Sequence, residues 1–290
     1  MEDDHHSTSI QQILDYSITF HHWTPPKEVK AVVGLIHGLA DQSVRYAHVA
    51  DWFREEDIAF EAFDLPGHGL SSGKRGHISD YDTLLQIIDR FKTQLEQDYP
   101  GVPLFLYGHS MGGNLLLYYL LRYEPEIAGA IVSAPAIKTF ADVPRWVRGI
   151  VRKVAAFVPS MMLPIRLKTK WLSRDEEIVK QADADPHRFK SASIKLGVGI
   201  LDAAEFLYTK RHESAVPILL MHGSADRINF LKGSQFFATN FEGDLTLKVW
   251  DGLYHELHNE PEKEMVLKEV VQWIYNILDP DTYAPLSSDT

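Results

Sequence analysis

The chain has 290 residues, 45% hydrophobic and 24% charged, with a formal net charge of −11 and no cysteine. That length and balance suit one large globular domain, or one domain with an insertion, and the acidic excess argues against a nucleic-acid partner. Disulfides and thiol chemistry are excluded; no apolar run reaches the roughly 20 residues of a membrane span, and the acidic start Met1-Glu2-Asp3-Asp4 is the reverse of a secretory signal, so a cytoplasmic protein is expected.

Tyr16-Ser17-Ile18-Thr19-Phe20 reads as a first strand, ended by Pro25-Pro26. Residues 31–36 are apolar throughout, a buried type of strand that runs into His37-Gly38. A helix is expected over 44–56 and a strand over 58–63, closed by Asp64-Leu65-Pro66-Gly67. Asp80 is a candidate N-cap for a helix whose apolar face carries Leu84, Ile87, Ile88, Phe91 and Leu95. Strand 102–107 and the apolar helix 113–121 flank Gly108-His109-Ser110-Met111-Gly112, and another apolar strand follows at 127–132. Buried-type strands alternating with helices imply an α/β fold, a mostly parallel sheet with helices on both faces.

After Ser133-Ala134-Pro135 the alternation stops. From 137 to about 214 no convincing strand is seen. Between Lys138 and Arg174 stand nine basic residues and one acid, Asp142, a local charge of +8 that leaves −19 for the rest. The strand pattern resumes at 217–223, a last strand is expected at 245–250, and Met265, Val266, Val270, Val271, Ile274 and Leu278 mark a final helix. The expected organisation is therefore a core over 1–136 and 215–278, a mainly helical cap inserted at 137–214, and a polar tail at 279–290.

Gly-x-Ser-x-Gly between a strand and a helix is the context of a nucleophile elbow. The sharp turn holds Ser110 in a strained conformation, exposes its hydroxyl at the sheet edge and sets it over a helix N-terminus. A serine hydroxyl needs a base, and the base an orienting acid. Asp226 follows the strand ending near Met221, and His255 follows the last strand. The competitors are weaker: Asp251 directly precedes the histidine loop, Asp185 and Asp202 lie in the insertion, and His109 points away from the hydroxyl. An oxyanion hole needs two N–H groups, and the amides of Leu39 and Met111 fit, with His37 as a structural bracket for its loop. Backbone amides suffice for this task, so no cofactor is expected. No metal is expected either, because His5-His6 and His21-His22 lack partners at zinc spacing.

Taken together, His37-Gly38, Ser43-Val44-Arg45-Tyr46, the run Asp64 to Gly73, Gly108-His109-Ser110-Met111-Gly112-Gly113, Gly223-Ser224-Ala225-Asp226 and Tyr254-His255 resemble the α/β-hydrolase superfamily. More narrowly they resemble its monoacylglycerol lipase and lysophospholipase branch. The resemblance implies the triad Ser110, Asp226, His255, the oxyanion amides of Leu39 and Met111, and a cap over the site. It implies ester hydrolysis of a single-chain lipid, most simply a monoacylglycerol, with a lysophospholipid or a simple ester as alternatives. Leu39 is larger than the small residues usual after His-Gly in that family. Apolar cap residues Trp146, Ile150, Val151, Phe157, Met161 and Met162 are candidates for the acyl-chain site. Arg145, Arg148 and Arg152 can share one helical face, which predicts peripheral contact with an anionic membrane.

Overall fold

The computed structural model describes residues 5–139 and 144–279. Residues 1–4, 140–143 (Asp142 among them) and all of the expected tail except Asp279 lie outside the described residues. The chain opens with a hairpin of β1 (His6–Ile13) and β2 (Tyr16–Trp23), paired antiparallel from His6 with Trp23 to Ile13 with Tyr16. β1 is absent from the sequence reading because its run His-Ser-Thr-Ser-Ile-Gln-Gln-Ile has no apolar alternation; pairing with β2 makes it a strand. β3 (Ala31–Ile36) is buried at every position. A 3-10 turn over Ser43–Tyr46 precedes α1 (Ala47–Glu55), so the expected helix at 44–56 starts three residues late. β4 (Ile58–Phe63), α2 (Tyr81–Asp98), β5 (Leu104–His109), α3 (Met111–Tyr123) and β6 (Gly129–Ser133) follow. Asp80 caps α2 as expected, its side chain accepting from the Asp82 amide.

The segment after β6 holds α4 (Arg145–Phe157), β7 (Met162–Pro164), α5 (Glu176–Ala184), β8 (Ser191–Ser193), α6 (Ile194–Thr209) and β9 (His212–Glu213). None of these joins the main sheet; β7 pairs only with β8. Such two- and three-residue pairings leave no periodicity to read, which is why no strand is expected there from sequence. α6 packs on α3, and α4 packs on α6. The remaining elements are β10 (Ile218–Gly223), α7 (Leu231–Thr239), β11 (Phe241–Glu242), which pairs with β9, β12 (Leu245–Trp250) and α8 (Lys263–Leu278).

The eight-stranded sheet has the order β1-β2-β4-β3-β5-β6-β10-β12 and is parallel from β4 to β12. Alternation along β3 feeds two cores. Val32 and Ile36 join the layer under α2, α3 and α6; Ala31, Val33 and Leu35 join the layer under α1 and α8. Burial on both faces explains why these strands read as unbroken apolar runs. Parallel strands all end at the same edge, so the loops after β3, β5, β10 and β12 meet there. Among the described residues no helix is long and apolar enough to cross a membrane.

Candidate active site

Ser110 stands between β5 and α3 at φ 56° and ψ −114°, a left-handed region that non-glycine residues rarely occupy. The conformation is over-determined from both sides. The Ser110 amide donates to the Ser133 carbonyl at 2.9 Å, and its own carbonyl accepts from Asn114 and Ala136, each at 3.0 Å. A Cβ at position 112 would sit 1.9 Å from the Ile36 carbonyl oxygen, and one at 108 would sit 2.5 Å from the Gly112 carbonyl oxygen. Only glycine lets α3 come this close to β3, and that approach thrusts the serine out of the sheet edge.

The loops after β10 and β12 bring two of the expected partners to that hydroxyl. His255 Nε2 lies 2.9 Å from Ser110 Oγ, and His255 Nδ1 lies 2.8 Å from Asp226 Oδ2. With the Nδ1 proton donated to the carboxylate, Nε2 is the acceptor for the serine proton. His255 is 2% exposed. Burial alone would push the Asp226 carboxyl up, but His255 and His222 beside it hold it well below the usual carboxylate range. Asp226 is further anchored by the amides of Ile228 and Asn229, at 2.7 and 3.0 Å from Oδ1. Asp251 is not part of this line; its Oδ1 accepts from Ser224 Oγ on the exposed side of the loop.

Leu39 and Met111 both line the cavity above Ser110. Met111 opens α3, so its amide has no acceptor within the helix. His37 brackets the other loop, with Nδ1 donating to the Gly38 carbonyl at 2.8 Å and Nε2 accepting from the Leu65 amide at 3.0 Å. The cavity measures about 550 Å³. Its apolar wall comes largely from α6 and the segments before it, with Leu163, Ile194, Val198, Ile200 and Leu201.

Of the six cap residues expected on this wall, only Val151 lines the cavity. Trp146, Ile150, Phe157 and Met161 turn outward, Phe157 at 88% exposed and Trp146 at 71%, while Met162 is half-buried off the cavity in β7. The face that α4 turns inward carries Val151, which lines the cavity, and buried Ala155 together with Arg148 and Arg152. Arg152 bonds Asp202 and Glu205 of α6, and Arg148 lies 3.8 Å from Glu205. α4 thus meets α6 through a mixed face, and Trp146, Ile150 and Phe157 are left on the outward one. The expected free basic face is corrected accordingly; the side chain of Arg145 lies outside the described residues.

Sequence reasoning missed the groups that surround the triad. Arg45 reaches Asp41 Oδ1 at 2.6 Å and both carboxylate oxygens of Glu256 at 3.1 and 2.8 Å. Burial pushes both carboxyls up, yet the guanidinium prevails: Asp41 is held far below its usual range and Glu256 at about 2. The motif Ser43-Val44-Arg45-Tyr46 was legible, but its distant partner Glu256 was not. His109 lies behind His255 with its ring tilted by 54° at 4.8 Å between centroids, and His258 meets His109 edge-on at 4.9 Å. Burial drives both toward the neutral form, His109 down to about 3. Asn229 was also missed; nothing in the spacing Asp226-Arg227-Ile228-Asn229 marks an amide that reaches the nucleophile.

Comparison with known proteins adds to this geometry. The profile of the serine aminopeptidase S33 family matches residues 27–262. The chain is 34% identical over 270 residues to a monoacylglycerol lipase of Mycolicibacterium smegmatis, covering 90% of this chain and 94% of that one. It is 35% identical over 255 residues to an uncharacterized abhydrolase domain-containing protein of Dictyostelium discoideum, of which it spans only 27%, with 87% of this chain covered. Among solved structures, that of a monoacylglycerol lipase from Paleococcus ferrophilus superposes with a TM-score of 0.81 at 29% identity, covering 90% of this chain and 99% of the other.

Proposed function

The chain belongs to the serine aminopeptidase S33 family of α/β-hydrolases, and within that family we propose that it is a serine hydrolase cleaving monoacylglycerol to glycerol and a fatty acid. The observation that carries the reading is the hydrogen-bonded line from Ser110 through His255 to Asp226, opening into a cavity with an apolar wall. His255 Nε2 takes the serine proton as Oγ attacks the ester carbonyl. The amides of Leu39 and Met111 hold the resulting oxyanion. Collapse of the tetrahedral intermediate breaks the bond to glycerol, whose oxygen receives the proton from His255. Water, deprotonated by His255, then cleaves the acyl-serine and frees the acid. Asp226 stays ionised throughout and offsets the imidazolium charge. Residues 137–214 serve as a cap and residues 1–136 with 215–278 as the core.

A peptidase reading is not favoured by the cavity. Its two acids besides the triad, Asp41 and Glu256, are both engaged by Arg45, which leaves neither free for a peptide amino terminus. A lysophospholipid is the second reading, and one observation favours it: Arg166 and Arg188 line the cavity and have no ion pair among the described residues. Hydrolysis rates on monoacylglycerols of graded chain length, triacylglycerols and lysophospholipids test both. Medium or long monoacylglycerols are expected to exceed triacylglycerols, which are too bulky for a covered site; faster turnover of triacylglycerols refutes the enclosed pocket.

Peripheral membrane contact is part of the proposal, made through the outward apolar side of α4 and the turn after it. Trp146, Ile150, Phe157, Val158 and Met161 are its exposed apolar residues, which suit the lipid interface where the substrate resides. Co-sedimentation with phosphatidylcholine vesicles is expected for the parent and lost in Trp146→Ser/Phe157→Ser; equal sedimentation of that variant refutes this docking side.

A further inference from the structure

Asn229 is idle in the mechanism above, yet it touches both ends of the triad. It lies on the loop after β10, 2% exposed, in the cavity wall. Its backbone N–H donates to Asp226 Oδ1 at 3.0 Å, and its carbonyl accepts from His222 Nε2 at 2.9 Å. His222 is fully buried and braced on its other nitrogen by Ser234 Oγ at 2.8 Å, so the loop is fixed from below. The side-chain Nδ2 lies 2.7 Å from the Ala134 carbonyl oxygen and 3.4 Å from Ser110 Oγ. A carbonyl only accepts, so Ala134 settles which end of the amide is nitrogen. One amide proton goes to Ala134, and the other is left for the serine oxygen.

We propose that Asn229 is a fourth catalytic residue, whose side-chain N–H stabilises the negative charge on Ser110 Oγ in both half-reactions. The inference rests on the hydrolase reading above. In acylation the Oγ–H bond breaks, its proton passes to His255 Nε2, and the Oγ electron pair forms the bond to the acyl carbon. Charge on Oγ is greatest while the first bond is breaking and the second is incomplete. The Asn229 donor faces the oxygen at that moment and gives up no proton. In deacylation the order reverses: the acyl carbon–Oγ bond breaks, and Oγ gathers charge until it recovers its proton from His255. The resting distance is long for such a bond, and it shortens as the oxygen becomes a stronger acceptor, as catalytic hydrogen bonds do between resting and reacting states. The Leu39 and Met111 amides serve the substrate's carbonyl oxygen, so the two sets of donors act on different atoms.

The test separates this role from bracing. Asn229→Ala removes the donor, and Asn229→Asp removes the amide N–H while keeping the shape. For both, the second-order rate of Ser110 labelling by an alkyl fluorophosphonate is measured, with kcat and KM on a soluble p-nitrophenyl ester and the thermal midpoint. Labelling reports attack by Oγ alone. Both variants are expected to lose about ten- to a hundredfold in labelling rate and in kcat, the loss of a hydrogen bond to a charging oxygen, with KM within threefold. A brace alone would lower the thermal midpoint and leave the folded enzyme's labelling rate unchanged. Labelling and kcat within threefold of the parent in folded Asn229→Ala or Asn229→Asp overturn the assignment. A parent chain that is labelled and active then keeps the hydrolase reading intact, whereas a parent that neither labels nor turns over ester overturns both.

Discussion

Acidification is expected to destabilise this protein before its carboxylates titrate, because three histidines are buried neutral around the site. His68 and His109 are each 2% exposed and His258 is 0%. Burial is the main cause in all three: it brings His68 and His109 from 6.5 down to about 3, and His258 well below 6.5. In the unfolded chain each titrates near 6.5. A group whose folded pKa is depressed in this way costs stability as pH falls below its unfolded value, since only the unfolded chain takes up the proton. Between pH 7.5 and 5.5 the unfolded chain gains nearly one proton per histidine that the folded chain does not. Each contributes about 1.4 kcal/mol over that interval, and the three together about 4 kcal/mol, a large share of the roughly 5–15 kcal/mol of a typical domain. His22 works the other way: its hydrogen bond to Glu61 raises its pKa, so its contribution is present at low pH and lost as pH rises. Urea unfolding at pH 7.5, 6.5 and 5.5 measures the sum. A loss of about 3–4 kcal/mol from 7.5 to 5.5 is expected, and His258→Gln should reduce the slope by about a third. Stability that is flat or rising toward pH 5.5 refutes the reasoning.

Arg45→Met leaves Asp41 and Glu256 buried without their counter-charge and is expected to cost about 3–5 kcal/mol at pH 7 by urea unfolding, the penalty of an orphaned buried ion; a loss under about 1 kcal/mol contradicts the network's role. A Cβ at position 38 would stand 3.2 Å from Ser110 Cβ, which the elbow cannot yield. Gly38→Ala should therefore shift the Leu39 loop by a few tenths of an ångström and lower kcat about tenfold with the thermal midpoint nearly unchanged, and an unaffected kcat would free that loop from the mechanism.

The parts of this molecule that were legible in the sequence are those whose signal is local. β3 to β6 announce themselves as apolar runs because the sheet is covered on both sides, and Asp80 announces α2 because a cap acts within one turn. The strained Ser110 was legible because its glycines are obligatory at fixed offsets. Asp226 and His255 could be placed because parallel strands deliver their following loops to one edge. What stayed hidden depends on distant partners. β1 is a strand only because β2 lies beside it. Trp146 and Phe157 face outward while Val151, Ala155, Arg148 and Arg152 meet α6 and the cavity, contacts some fifty residues away in sequence. The amphipathic pattern of α4 did not tell that Val151 would turn inward with Arg148 and Arg152 while Ile150 stays outside. Asn229 reaches Ser110 across 119 residues of chain, and no spacing rule encodes that approach.

In the proposed reaction Ser110 carries an acyl group from a monoacylglycerol. The most direct test of that role is release of glycerol and oleate from 1-oleoylglycerol by the parent chain and by Ser110→Ala, with folding of both checked by circular dichroism. Equal molar amounts of the two products are expected from the parent and, in the folded variant, a loss of about a millionfold, the scale on which other serine triads fail without their nucleophile. Product release by folded Ser110→Ala at more than a tenth of the parent rate would contradict that role.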